Sequence, residues 1–227
     1  MYGSEFIYQA YIEDLSVCDR LIELHKNSPK KTAGKVGGVY ALEEGEMKGK
    51  SQSFNLIKES TDVVLLPEND LVEMFVLYNN QLQTILNQYV SKFKYSGADD
   101  APWTVTEYPN IQHYSPGQGY KAWHFERVLP TFPNCARHLV YMTYLNDVHM
   151  FGETEFYYQQ LKVKPKKGLT LVWPADWTFT HRGIVAPNED KYIITGWLNY
   201  VELDNNGNYV MEPRWDPFVR AEKEKNN

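Results

Sequence analysis

The chain has 227 residues, enough for one domain with a substantial core and within the range of all-β domains. Its 23 Lys plus Arg against 29 Asp plus Glu give a formal charge of −6, which argues against an electrostatic footprint on nucleic acid or a membrane surface. Two cysteines, Cys18 and Cys135, exclude a disulfide framework, and no stretch approaches the ~18 apolar residues that span a bilayer. The start, MYGSEFIYQA, lacks the basic and apolar regions of a signal peptide, so a soluble, intracellular, cytoplasmic protein is expected.

In chain order, FIYQAYIEDLSVCDRLIELHKN predicts a short strand and then a helix capped by Asp14 or Ser16. Leu15, Cys18, Leu21, Ile22 and Leu24 give that helix an apolar stripe, with Cys18 in the core and His25 on the solvated side. The Gly/Lys-rich run from Ser28 to Ser53 reads as a long solvated loop, with a lid over a substrate groove as the functional alternative. SFNLIKES returns toward extended structure. ENDLVEMFVLYNNQLQTILNQYVSKF is the strongest helix, with Leu71, Met74, Phe75, Leu82, Ile85 and Leu86 at core-facing spacing. Beyond Gly97 come WTVTEYPNIQHY, HLVYMTYLND, ETEFYYQQLKVKP, GLTLVWP and KYIITGWLNYVEL. These are β-branched and aromatic runs between Gly, Pro, Asn and Asp turns, as in a β-sandwich or jelly roll. The predicted class is α+β with a mainly β core in a single domain, 1–227. Residues 1–97 form its helical support with the mobile loop, 98–203 its jelly-roll catalytic core and 204–227 its charged tail.

GYKAWHFERV holds the pair His124 and Glu126. On a strand, i and i+2 share a face, so both side chains reach one ion. Of the remaining histidines, His181 follows a run that ends a strand or loop, whereas His113, His138 and His149 read as structural or surface residues. Two histidines and one carboxylate on one face of an octahedral ion leave three open positions, the facial triad of non-haem Fe(II) oxygenases. The same set suits catalytic Zn²⁺, which keeps a zinc hydrolase as an alternative. An oxygenase that uses 2-oxoglutarate also needs a cation for the far carboxylate of that cosubstrate. Lys191 stands ten residues beyond His181 at the start of a strand, and Thr195 shares its face and offers a hydroxyl. Taken alone, Lys191 reads first as a plain strand-edge lysine that blunts an exposed edge.

These residues carry a family resemblance. Through YSPGQGYKAWHFE, RHLVYMTYLND…GETEF, VKPKKGLTLVWP and HRGIVAPNEDKYIITGW, the chain resembles the 2-oxoglutarate/Fe(II)-dependent dioxygenases of the prolyl 4-hydroxylase type. The implied core is a double-stranded β-helix (jelly roll, cupin-like) supported by N-terminal helices. The resemblance implies His124, Glu126 and His181 as iron ligands and Lys191, helped by Thr195, Tyr144 and Tyr114, as the 2-oxoglutarate site. Arg137 and Trp197 match positions that contact the substrate proline. Fe(II) is the implied cofactor, with 2-oxoglutarate and O2 as cosubstrates and ascorbate as a reductant that rescues oxidised iron. The implied reaction hydroxylates a prolyl residue of a peptide or protein, with proline-rich partners expected, and releases succinate and CO2. The same chemistry on another side chain or a small metabolite, and a non-catalytic jelly-roll binding module, are the alternatives. Glu126 departs from the family pattern, which has Asp, and the longer arm bears on ligand geometry, rate and metal preference.

Overall fold

The computed structural model describes residues 5–34, 57–66, 70–98, 101–204 and 209–210. Its strands are β1 (Tyr8–Tyr11), β2 (Thr32–Ala33), β3 (Thr61–Val64), β4 (Trp103–Thr104), β5 (Asn110–Tyr114), β6 (Arg137–Tyr144), β7 (Thr154–Phe156), β8 (Leu161–Val163), β9 (Leu169–Pro174), β10 (His181–Gly183), β11 (Lys191–Tyr200), β12 (Glu202–Leu203) and β13 (Tyr209–Val210). Two α-helices, α1 (Ser16–Asn27) and α2 (Asp70–Lys92), precede most of them.

An eight-stranded antiparallel sheet runs β1–β9–β6–β11–β5–β3–β2, with β4 also paired to β11. A smaller antiparallel sheet, β10–β7–β8, faces it. The first half of the chain therefore supplies strands at both ends of the large sheet as well as the two helices. Short pieces such as YQAY and TDVV lack the length to announce this in sequence, and the large sheet completes them.

β6 shows how the layers are built. Leu139 and Tyr141 point to the helices, while Val140, Met142 and Tyr144 point to the small sheet, and all are buried. A strand covered on both faces is apolar throughout, not alternating. On the helical side, α2 has no Gly or Pro and buries Met74, Tyr78, Leu82, Ile85, Leu86 and Tyr89 against Leu139, Tyr141, Val172 and Ile194. Leu71 and Phe75, expected in the same stripe, are only partly buried there. α1 buries Cys18 and Leu21 in the same core, as its spacing predicts, and Val17 with them, whereas Ile22 and Leu24 are only partly buried and Leu15 is exposed. Asp14, not Ser16, supplies the turn at its start, its Oδ1 accepting the Ser16 N–H at 2.9 Å.

One expectation needs correction. His25 is buried, not solvated: its Nε2 lies 2.9 Å from the Thr61 carbonyl and its ring packs edge-on against His113 and Tyr192. A helix that docks on a sheet must satisfy the sheet's edge carbonyls, and His25 does so here. ETEFYYQQLKVKP is two strands, because Gln160 takes φ +51 and turns the chain back after Tyr157. WTVTEYPNIQHY is also two strands, β4 and β5, interrupted before Pro109 and Asn110. Most of the run proposed as a loop or lid, residues 35–56, lies outside the described residues, as does 211–227 of the tail. Within that run Thr32–Ala33 forms β2 against β3.

Candidate metal centre and cosubstrate cavity

The space between the two sheets is a cavity of about 300 Å³. From the large sheet, Gln112 and Tyr114 of β5 and Lys191, Ile193, Thr195 and Trp197 of β11 line it at every second position. His124, Glu126, His181 and Arg137 complete its mouth.

His124 and Glu126 do not lie on a regular strand. His124 forms a single bridge to His181, the first residue of β10, and each donates its N–H to the other's carbonyl at 2.9 Å. The extended backbone at that bridge keeps the i, i+2 relation that the sequence implied. His124 Nδ1 lies 3.0 Å from the Ala122 carbonyl and His181 Nδ1 3.0 Å from the Phe179 carbonyl. Each Nδ1 therefore carries the proton, and each Nε2 presents a bare lone pair. Both Nε2 atoms lie 3.5 Å from Glu126 Oε1. Donor atoms of the three residues all fall within 4.8 Å of one another. Tyr120 stacks on the His124 ring at 3.6 Å, and Trp173 and Phe156 pack on His181.

The electrostatics match. Burial drives the His181 imidazole down to about 3, so it is neutral and ready to ligate at physiological pH. Burial by itself would raise the Glu126 carboxyl, but His124, His181 and Arg137 outweigh it and hold the group below the usual carboxylate range. Two imidazoles and one carboxylate, converging from one side, fit a divalent first-row ion with open positions opposite them.

Deeper in the cavity sits Lys191, 7 % exposed. Among the described residues no carboxylate lies within ion-pair distance of its ammonium, which rests 5.9 Å from the Tyr114 ring centre and 5.4 Å from that of Tyr144. Burial pulls its pKa down to about 8. A buried cation without a counter-ion is a binding site for an anion. The Tyr114 hydroxyl donates to Gln112 Oε1 at 2.6 Å. Tyr144 is fully buried one layer behind, its hydroxyl 2.6 Å from Thr154 Oγ1 and 3.1 Å from the Val163 carbonyl. Thr195 lines the cavity but donates its hydroxyl hydrogen to the Tyr141 carbonyl at 2.9 Å, which leaves only lone pairs for a ligand.

Arg137 and Trp197 reach the cavity too, but their polar atoms are engaged. The Arg137 guanidinium stacks 3.6 Å over the Trp197 ring, is held by Glu107 at 2.9 and 2.7 Å, and lies beside Glu126. Glu107 was not anticipated. It lies thirty residues from Arg137 in a strand-like run, and no spacing links the two.

Comparison with known families bears on this arrangement. Residues 109–199 match the model of the 2OG-Fe(II) oxygenase superfamily. The matched segment is similar to a 2OG-Fe(II) oxygenase domain. It spans β5 through most of β11 and includes His124, Glu126, His181 and Lys191. No curated protein sequence matches the chain significantly. Among solved structures, a viral collagen prolyl hydroxylase from Paramecium bursaria Chlorella virus-1, in complex with 2OG, superposes with a TM-score of 0.58 at 19 % identity, covering 87 % of this chain and 97 % of that one. A Pseudomonas putida prolyl-4-hydroxylase gives 0.56 at 15 % identity, covering 86 % and 92 %. A prolyl hydroxylase from Trichoplax adhaerens, in complex with a hypoxia inducible factor oxygen degradation domain peptide fragment, gives 0.63 at 16 % identity, covering 86 % and 84 %. At these identities the likeness is one of fold: the two facing sheets are the double-stranded β-helix. The oxygenase domain makes the chain an oxidoreductase of the dioxygenase class, with Fe(II), 2-oxoglutarate and O2 as its cofactor and cosubstrates. Among the described residues no helix is long and apolar enough to cross a membrane.

Proposed function

We propose that this dioxygenase hydroxylates a prolyl residue in a peptide or protein, with release of succinate and CO2. His124, Glu126 and His181 hold Fe(II), and Lys191 receives the far carboxylate of 2-oxoglutarate. The observation that carries the reading is the pairing, inside one cavity, of a converging His–Glu–His set with a buried ammonium that, among the described residues, has no carboxylate within ion-pair distance. The bound iron supplies activation of O2, coupled to oxidative loss of CO2 from 2-oxoglutarate. The chain does the rest. The carbonyls of Ala122 and Phe179 hold the Nδ1 side of each ring, so both Nε2 atoms are turned toward the ion. Lys191 orients the cosubstrate by its distal end, and Trp173, Phe156 and Tyr120 keep water from the centre. The prolyl substrate is favoured by prolyl hydroxylases among the structural neighbours, one a viral collagen prolyl hydroxylase and another in complex with a peptide fragment.

The test is 2-oxoglutarate decarboxylation with anaerobically loaded Fe(II) across a panel of proline-containing peptides. Succinate formed in step with hydroxyproline is the expected result, and His181→Ala abolishes it. Absence of succinate with every substrate, with no effect of a 2-oxoglutarate analogue, defeats the dioxygenase reading. Coupled turnover only on other substrates defeats the prolyl one. A second reading, the same chemistry on a polar side chain or metabolite, is favoured by Asn110, which lines the cavity with Oδ1 buried and unpartnered. Such an acceptor suits an N–H or O–H donor on the substrate.

A further inference from the structure

We propose that Trp197 and Arg137 are positioning residues for Glu126, holding its outer oxygen so that the long side chain offers one oxygen alone to the metal. This rests on Glu126 being a metal ligand, as proposed above. Compared with Asp, Glu adds a methylene and a rotatable bond. Unrestrained, it swings away from the ion, or turns both oxygens onto it and closes a position that cosubstrate or O2 requires. The structure removes both freedoms.

Glu126 Oε1 faces the two imidazoles at 3.5 Å each. Oε2 faces the other way and accepts the Trp197 Nε1–H at 2.9 Å, with Arg137 Nη1 at 3.5 Å. The same Nη1 donates to the Glu126 carbonyl at 3.0 Å, so Arg137 holds the residue by its backbone as well as its tip. Arg137 is fixed in turn. Glu107 grips its far edge in a two-pronged pair, Asn199 donates to Glu107 Oε1 at 3.1 Å, and the guanidinium lies 3.6 Å over the Trp197 ring. Trp197 and Asn199 share β11 with Lys191, so one strand fixes the cosubstrate's anchor and the orientation of the carboxylate. The indole N–H and the guanidinium donors are thus engaged with this chain's own carboxylates. A substrate meets these residues only as surface, which departs from the role in substrate contact expected from sequence. Outer hydrogen bonds of this kind commonly change metal affinity about tenfold to a hundredfold.

The test is a double-mutant cycle read by Co(II) binding, an air-stable probe whose visible absorption reports coordination. Trp197→Phe keeps the ring and deletes the donor. It is expected to weaken Co(II) binding about tenfold to a hundredfold and to shift the visible bands, while the near-ultraviolet circular dichroism stays unchanged. In an Glu126→Asp background the shorter carboxylate no longer reaches the indole, so the same change costs less than about threefold, the scale of independent sites. Glu107→Gln, which leaves the Trp197 side of the clamp intact, weakens Co(II) by a smaller factor and serves if Trp197→Phe fails to fold. Equal losses in both backgrounds, or unchanged Co(II) affinity with a raised peptide KM, overturn the proposal in favour of a substrate role. Unchanged Co(II) affinity in Glu126→Ala shows instead that Glu126 is no ligand, and defeats the underlying reading and the proposal together.

Discussion

Lys191 carries opposing demands in one side chain. Its ammonium is buried between two tyrosine rings, and burial lowers its pKa from 10.5 to about 8. Between those two values the unfolded chain binds more protons than the folded one, so Lys191's cost to stability is full below pH 8 and fades as pH rises toward 10.5. Lys191→Met is accordingly expected to raise the melting temperature of the ligand-free protein by several degrees at pH 7, corresponding to up to about 3 kcal/mol. The same variant loses the thermal shift that 2-oxoglutarate produces, and scanning fluorimetry with and without the cosubstrate checks both effects. In the wild type, 2-oxoglutarate needs the charged lysine, so its affinity falls as pH rises above about 8 and binding takes up a proton. A titration between pH 7 and 9 that shows flat affinity contradicts Lys191 as the anchor. The candidate ligands and the candidate anchor were legible in sequence because their chemistry fixes their types and their spacing on extended chain. Their restraints were not. Glu107 reaches Arg137 and Trp197 reaches Glu126 across thirty and seventy-one residues, and only folding sets those meetings.

Among the elements, β11 positions most of the site, and its tolerance is set by Gly196. A Cβ there would stand 2.2 Å from the Tyr141 hydroxyl, which is fully buried on neighbouring β6 and has no hydrogen-bond partner among the described residues. Packed cores do not yield to such an addition without moving. Gly196→Ala is expected to destabilise the protein by about 1–3 kcal/mol and to displace Thr195 and Trp197 with the strand. Denaturant unfolding gives the first quantity. Co(II) affinity gives the second, because a shifted Trp197 loosens Glu126. Nothing in TGW announces this constraint, since a glycine in a strand pattern reads as a bulge or a close approach without naming the neighbour. By contrast, both helices were legible from their apolar spacing, and β6, β9 and β11 from continuous β-branched and aromatic runs. The short β2 and β3 were lost, because their stability comes from pairing and not from their own composition.

For the whole molecule, the site joins segments far apart along the chain. His124 lies in the stretch between β5 and β6, which has little regular structure, while His181 opens the small sheet. An ion held by both histidines and Glu126 cross-links that stretch to the rest, an added closure that favours the folded state. Saturating Co(II) is expected to raise the melting temperature and to slow proteolytic cleavage between residues 115 and 136, read by mass spectrometry of the fragments. Equal cleavage rates with and without metal contradict the cross-link. The reciprocal hydrogen bonds between His124 and His181 also bear on timing. The two imidazoles are delivered as a prepaired unit by main-chain bonds that no ion has to organise, whereas Glu126 is seated by side chains alone. A metal held here would be captured first on a ready two-pronged hook and would leave once the carboxylate let go. How long it stayed would then be governed by the mobility of a single residue.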